Sequence, residues 1–208
     1  MLTTRQLTFS YSPAKRFAFP DLNCADREAL LILGRSGTGK TTFLHLLALL
    51  LKPETGSVTI NTTDLTKLSP AETAAFRAQH VGIIYQKPHF VSSLSVIDNL
   101  LLANYLAQKP QDKSRARQLA EQLGFAEHLS KKTSQLSLGE QQRVSIARAM
   151  MNQPNMILAD EPTSSLDDVN TEKVIALLRQ QSEQIGASLV VVTHDQRLKD
   201  AFANRVEL

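Results

Sequence analysis

Eight consecutive residues, Gly34-Arg35-Ser36-Gly37-Thr38-Gly39-Lys40-Thr41, read GRSGTGKT and fit G-x-x-x-x-G-K-[ST]. Each residue type in that pattern has a chemical reason. Glycines let the backbone approach an anion and turn without a Cβ clash. Successive N–H groups then form a concave nest for phosphate oxygens. A helix starting at the end of the pattern adds about half a positive charge. Lys40 reaches the β/γ-phosphates, and the Thr41 hydroxyl is a Mg²⁺ ligand. With Gly at about 7% of residues, such a match arises by chance in roughly 1% of chains this long. An unliganded Gly-rich turn is therefore the weaker alternative. The pattern alone specifies nucleoside triphosphate binding and no more.

Four other polar clusters end apolar runs or open helices. They are Gln86 after Ile83-Ile84-Tyr85, Asp160-Glu161 after Met156 to Ala159, His194 after Leu189 to Thr193, and Ser137 to Glu140. Successive strand residues point to opposite faces, so Asp160 and Glu161 are expected to take different tasks. One can hold Mg²⁺ and the next can orient and deprotonate an attacking water. Two acids solvated in a turn are the plain alternative. His194 closes a very apolar strand and suits a polarising or γ-phosphate-sensing role, although a lone His is more often structural. The Gln86 amide can reach metal or water, or serve only as a turn residue. Tyr11 can stack on a base, worth about 1–3 kcal/mol by analogy with nucleic-acid stacking, or simply pack in a core. His45, His80, His89 and His128 have no ligand spacing and are assigned no role. Met150, Met151 and Met156 are expected in the core.

These residues need elements to hold them. Ala29 to Leu33 is an apolar block of strand length, and Thr41 to Leu51 lacks Gly and Pro and predicts a helix. Further strands are expected at Leu2–Phe9, Phe17–Pro20, Ser57–Ile60, Val81–Tyr85, Met156–Ala159 and Ser188–Thr193. Pro20 suggests an edge position. Ser69-Pro70 opens a helix with Ser at the N-cap and Pro at N1. From about residue 91 to 134 the spacing is helical and strand-free, with helices at 95–107 and 112–123 ended by Gly124. Ser137-Leu138-Gly139-Glu140 fits the S-x-x-E capping box, opening a helix to Met151. Another helix is expected from about Asp167 to Gln184. Strands alternating with helices predict a mostly parallel sheet with ligands at its carboxyl edge. Three of the four polar clusters would share that edge with the Gly-rich loop.

At 208 residues the chain has room for one α/β domain with a small inserted lobe. The net charge of +3, with Lys and Arg scattered, gives no nucleic-acid-binding arm. No apolar stretch reaches the length of a membrane span, and the N-terminus has no apolar core of a signal peptide. The single cysteine, Cys24, suits a reducing, cytoplasmic location.

Taken together, these residues resemble the nucleotide-binding subunit of ATP-binding cassette (ABC) transporters over essentially the whole chain. GRSGTGKT resembles Walker A, and Met156 to Glu161 (MILADE) resembles Walker B with its catalytic Glu. Tyr11 is placed like the adenine-stacking aromatic, Gln86 like the Q-loop, Ser165-Leu166-Asp167 like the D-loop and His194 like the switch histidine. Leu136 to Glu140 (LSLGE) followed by QQR resembles the LSGGQ signature, with Leu138 for the first Gly and Glu140 for the final Gln. Ser164-Ser165 stands where Ser-Ala is usual. The resemblance implies an α/β P-loop NTPase of the ABC type: a mostly parallel core sheet, an antiparallel β part and an inserted α-helical subdomain near 91–134 of one 1–208 domain. It implies an ATPase using ATP and Mg²⁺, with Tyr11, Gly34 to Thr41 and Thr42 at the nucleotide. Thr41, Gln86 and Asp160 would serve the metal, and Glu161 and His194 the catalysis. Ser137, Leu138, Gly139 and Glu140 would face the ATP of a second copy or a homologous subunit, with Asp167 in the D-loop. The expected partner is an integral-membrane permease, on the cytoplasmic face of the inner membrane. Ending soon after a helix that carries His194, the chain leaves no room for a C-terminal regulatory domain and resembles the lipoprotein-release, macrolide-export and cell-division groups. The alternative is a regulatory ATPase that drives a membrane partner mechanically without moving a solute.

Overall fold

The computed structural model describes residues 1–164 and 168–208. In chain order the elements are β1 (Leu2–Ser12), β2 (Lys15–Ala18), β3 (Asn23–Cys24), β4 (Ala29–Leu33), α1 (Lys40–Leu47), β5 (Thr55–Ile60), β6 (Thr63–Asp64), α2 (Pro70–His80) and β7 (Val81–Ile84). There follow α3 (Val96–Leu106), α4 (Lys113–Gln122), α5 (Leu138–Met150), β8 (Met156–Asp160), α6 (Asp168–Ile185), β9 (Ser188–Thr193) and β10 (Asn204–Glu207). Two sheets result. One is antiparallel, ordered β2-β1-β5-β6 with β3 also on β1; the other is ordered β10-β4-β9-β8-β7, and every pairing in it is parallel.

Strand periodicity explains how the parallel sheet is covered. Leu31, Leu33, Ile157, Ala159, Leu189 and Val191 face one cluster, built with residues of α3, α4, α5 and α6. Their sequence neighbours Leu30, Ile32, Met156, Leu158, Val190 and Val192 face the other, with α1 and the antiparallel sheet. A sheet buried on both faces must read as continuous apolar runs, and these strands do. Helix α1 lies in the second layer, burying Phe43, Leu44, Leu46 and Leu47. The layer thus fixes the start of α1, and with it the Gly-rich loop, against the end of β4.

Several boundaries differ from the sequence expectation. The helix after the Gly-rich loop stops at Leu47, not Leu51: Leu49 takes a φ of 54°, and its carbonyl accepts Arg77 Nη1 from α2 at 2.9 Å. A tertiary cap therefore replaces the last turn that leucine propensity alone would continue. The edge strand is Lys15–Ala18, with Pro20 beyond it. His194 opens no α-helix; a 3₁₀ turn spans Gln196–Ala201, and β10 then adds a parallel strand to β4, an element the sequence pattern does not announce. The helices at Ser69 and Ser137 begin where their caps predict, and those expected from spacing at 95 and 112 begin after Ser95 and Asp112; all four cap side chains accept from a backbone amide of the first turn. Between β7 and β8 the described secondary structure is helical, apart from a single Ser95–Lys132 bridge.

Candidate active site

The parallel order β4-β9-β8-β7 brings four strand ends to one edge. The Gly-rich loop leaves β4, His194 leaves β9, Asp160-Glu161 closes β8 and Gln86 follows β7. Gly37 and Gly39 have φ of 87° and 97°. At Gly39 a Cβ would also lie 2.7 Å from the Phe17 ring, so this position needs glycine on both grounds. Gly34 N donates to the Thr193 carbonyl at 3.2 Å, tying the loop to β9, and the Thr38 hydroxyl donates to the Arg35 carbonyl at 3.0 Å. Arg35, Ser36 and Thr41 are exposed, whereas Thr42 is buried under the loop.

Lys40 is 7% exposed. Its Nζ donates to the carbonyls of Gly34 (2.9 Å) and Arg35 (3.0 Å) and lies 3.5 Å from Glu161 Oε1. The ammonium is thus held over the mouth of the Gly-rich loop, beside the second acid. Thr41 Oγ1 donates to Asp160 Oδ1 at 3.3 Å. Burial raises the Asp160 carboxyl above its ordinary value, and the Thr41 hydrogen bond opposes that rise. A carboxylate and a hydroxyl side by side are hard oxygen donors that fit Mg²⁺, which takes few protein ligands and completes its shell with phosphate and water.

Glu161 departs from the strand-alternation argument. β8 ends at Asp160, and Glu161 has a φ of 47°. A following proline steers a residue towards extended backbone, but Glu161 N donates to the Val192 carbonyl at 2.8 Å and the side chain is clasped. The acids separate because the chain turns, not because the pleat alternates. Glu161 Oε2 accepts the Thr193 hydroxyl at 2.8 Å, and Oε1 accepts His194 Nδ1 at 2.8 Å. A carboxylate only accepts, so Nδ1 carries the hydrogen and neutral His194 presents a bare Nε2 on an exposed ring. Thr193 Oγ1 also accepts from Asp195 N at 3.1 Å, which directs its proton to Glu161.

Gln86 is exposed and its amide nitrogen donates to Ser164 Oγ at 3.0 Å, while Ser164 N donates to the Glu161 carbonyl at 3.3 Å. The chain after β7 is therefore linked to the turn at Glu161. Tyr11 is 54% exposed, which removes the core-packing alternative. Its ring meets Phe9 at 4.8 Å and Phe17 at 6.3 Å, both edgewise, and its hydroxyl lies 3.2 Å from Thr42 Oγ1. By sequence, Thr193 and His128 are assigned no role, and Ser164 is named only as a departure beside the D-loop. Thr193, a hydroxyl closing the apolar run Leu189 to Val192 before His194, is the one with a legible signal.

The Ser137–Glu140 cluster opens α5. Ser137 Oγ accepts Glu140 N at 3.3 Å, and Glu140 Oε2 accepts Ser137 N at 2.7 Å and Ser137 Oγ at 2.8 Å. Leu138 is 78% exposed, and Gly139 is also exposed. Asp167, with Ser165 and Leu166, lies outside the described residues. The Ser137 hydroxyl and amide, and then His128, hold the Glu140 carboxyl down to about 2 from an ordinary 4.5. A depressed folded-state value stabilises the fold above pH 4.5, and the contribution disappears as pH falls towards 2. Glu140→Ala should therefore melt below the parent chain near neutral pH, and chemical denaturation should find the gap closing through that acid window.

Comparison with known proteins agrees with this geometry. Residues 20–164 match the ABC transporter family. The lipoprotein-releasing system ATP-binding protein LolD of Shewanella denitrificans is 40% identical over 183 residues, covering 87% of this chain and 78% of that protein. LolD of Legionella pneumophila is 37% identical, covering 96% and 91%. The macrolide export ATP-binding/permease protein MacB of Rhodopirellula baltica is 40% identical over 84% of this chain and 26% of its own longer one. Among solved structures, the dimeric bacterial ABC transporter cassette MJ0796 superposes with a TM-score of 0.89 at 30% identity, covering 100% of this chain and 94% of its own. Its dimeric post-hydrolysis state bound to ADP and Pi also gives a TM-score of 0.89. The chain belongs to the ABC transporter family, as an ATP-binding, ATP-hydrolysing subunit that uses Mg²⁺.

Proposed function

We propose that this subunit hydrolyses ATP between two copies of itself, or between itself and a homologue, and drives an integral-membrane partner of the kind served by lipoprotein-releasing and macrolide-export proteins. The observation that carries the reading is Glu161, clasped by Thr193 and His194 beside Lys40 at the carboxyl edge of the sheet. Lys40 exchanges the loop carbonyls and Glu161 for the β/γ-phosphates, since a bound polyphosphate offers a stronger anion at the same nest. Thr41 and Asp160 would hold Mg²⁺, with Gln86 able to join them. The metal, when bound, neutralises charge developing on the phosphoryl oxygens. Freed of Lys40, Glu161 keeps its donors from Thr193 and His194 and is fixed to accept a proton from the attacking water, and His194 directs its Nε2 outward to the reacting phosphate. Tyr11 offers its exposed ring to the base. Ser137 and the Gly139 amide face the nucleotide of the other subunit, and Asp167 belongs to the same interface.

Coupling to the membrane partner follows from a groove of about 560 Å³ lined by Leu50, Ala75, Tyr85, Leu102, Leu106 and Arg148, between α2, β7 and α3. Leu106 in its lining is 61% exposed, and an apolar patch of this kind suits a protein partner. β7 leads from the groove to Gln86, and Gln86 to Ser164 and the Glu161 turn, so a shift of the partner reaches the base through three linked residues. No described helix is long and apolar enough to cross a membrane, and the subunit sits on the cytoplasmic face of the inner membrane through this groove. Leu106→Arg should reduce co-purification with the membrane partner by at least about tenfold, as expected for a buried interface anchor, while ATPase of the free subunit stays as in the parent. Full retention of the complex in that variant would remove the groove from the reading.

A further inference from the structure

Both carboxylate oxygens of Glu140 are engaged. Oε2 takes the Ser137 amide and hydroxyl, and Oε1 accepts His128 Nε2 at 2.7 Å. Because a carboxylate only accepts, Nε2 carries the hydrogen. The His128 side chain is 13% exposed, and among the described residues its buried Nδ1 has no partner. Leaving a ring nitrogen unpaired in the interior is unfavourable, so the ring's orientation is set by what it does satisfy, the Glu140 carboxylate. Glu127 Oε1, at 3.6 Å from the same nitrogen, is too distant for a second hydrogen bond.

His128 does not belong to α5. It ends the 3₁₀ turn Ala126–His128, and the residues after it are tied to α3: Ile97 N donates to the Leu129 carbonyl at 3.0 Å, and Val96 N to the Lys131 carbonyl at 2.9 Å. The His128–Glu140 contact therefore adds a polar bridge between the α3–α4 segment and the start of α5, which also share one core cluster. Glu140 reaches back from N3 to the cap residue, so what His128 holds is the geometry of Ser137.

We propose that His128 is a positioning residue for Ser137, acting through Glu140, and that it fixes the start of α5 in the arrangement presented to the nucleotide of a second subunit. The proposal rests on the reading that Ser137 meets that nucleotide. Without the His128 donor, Oε1 is released to water and the long Glu140 side chain regains rotamers. The Ser137 hydroxyl then loses its fixed direction, and that freedom must be surrendered again each time two subunits close. Movement of α3 and α4 also reaches Ser137 through this contact, beside the core that the three helices share.

The test uses the full chain and two measurements: nucleotide affinity of dilute protein, read with a fluorescent ATP analogue, and steady-state ATPase against protein concentration. His128→Ala should leave the affinity within about twofold, because among the described residues the Gly-rich loop shares no hydrogen-bond partner with His128 or Glu140. It should raise the protein concentration for half-maximal ATPase about tenfold, the scale of one hydrogen bond to a charged group, with kcat at saturation little changed. His128→Gln, which keeps an amide donor near Nε2, should restore assembly, and His128→Ala added to Glu140→Ala should do nothing further. If the alanine variant does not fold, His128→Leu supplies the same loss of donor with the volume kept. Unchanged assembly on loss of the donor, a Gln variant as impaired as the Ala variant, or an undiminished effect in the Glu140→Ala background would each overturn the proposal. Ser137→Ala separates the two levels. If it too leaves assembly unchanged, the reading of Ser137 fails; if it weakens assembly while loss of the His128 donor does not, only the role of His128 is lost.

Discussion

Glu161→Gln is expected to bind Mg-ATP as the parent chain does and to turn it over at least about a thousandfold more slowly, the usual scale for removing a general base. The geometry shows why this substitution isolates the chemistry. The Gln carbonyl can still accept the Thr193 hydroxyl, whose proton is directed there because Thr193 Oγ1 already accepts from Asp195 N. The Gln amide can donate to His194 Nδ1 once the ring adopts the other tautomer. The backbone at φ 47° keeps its bond to the Val192 carbonyl. Fold and clasp survive, but an amide takes no proton from water. With binding intact and turnover stopped, the ATP-bound dimer should accumulate and elute at twice the subunit mass by size exclusion with Mg-ATP. A variant that binds ATP yet stays monomeric would count against the shared site, and near-parental hydrolysis would remove Glu161 as the base.

Lys40→Ala is expected to lose both functions. The Nζ is the one Lys or Arg nitrogen within 4 Å of Glu161 among the described residues, and it lies over the loop that would cradle the phosphates. A hydrogen bond to a charged group contributes about 1.5–3 kcal/mol, so nucleotide affinity should fall by about ten- to a hundredfold and hydrolysis to background. The fold should tolerate the change, because Glu161 keeps Thr193 and His194 as donors. Lys40→Arg should not rescue, since the flat guanidinium fork is a different shape from the compact ammonium that the carbonyls of Gly34 and Arg35 hold. Isothermal titration with a non-hydrolysable analogue and steady-state ATPase check both halves. Hydrolysis near the parental rate would exclude the Gly-rich loop from the site.

Much of this arrangement is legible in the chain because the relevant physics is local. A phosphate nest needs Gly at left-handed positions, so Gly37 and Gly39 announce it. A capping box needs Ser and Glu three apart, so Ser69 and Glu72, and Ser137 and Glu140, give the starts of α2 and α5 to the residue. Runs such as Leu189 to Val192 can only be strands covered on both faces. Alternating strands and helices imply a parallel sheet, and with it a shared carboxyl edge for Lys40, Gln86, Glu161 and His194.

What lies beyond the sequence involves partners distant in the chain. Leu49 ends α1 because Arg77, far along the chain, takes its carbonyl; leucine propensity points the other way. Nothing in Asp160-Glu161-Pro162 signals the positive φ of Glu161, which depends on Val192, Thr193 and His194 lying alongside in the neighbouring strand. β10 exists because β4 has a free edge, not because Asn204 to Glu207 is strongly strand-forming. His128 has no ligand spacing in the sequence, and only the packing of the α3–α4 segment against α5 brings it to Glu140. Short-range backbone demands select residue types and so can be read from them. Contacts between elements are selected by packing, and a single chain carries no local mark of which distant residue will satisfy them.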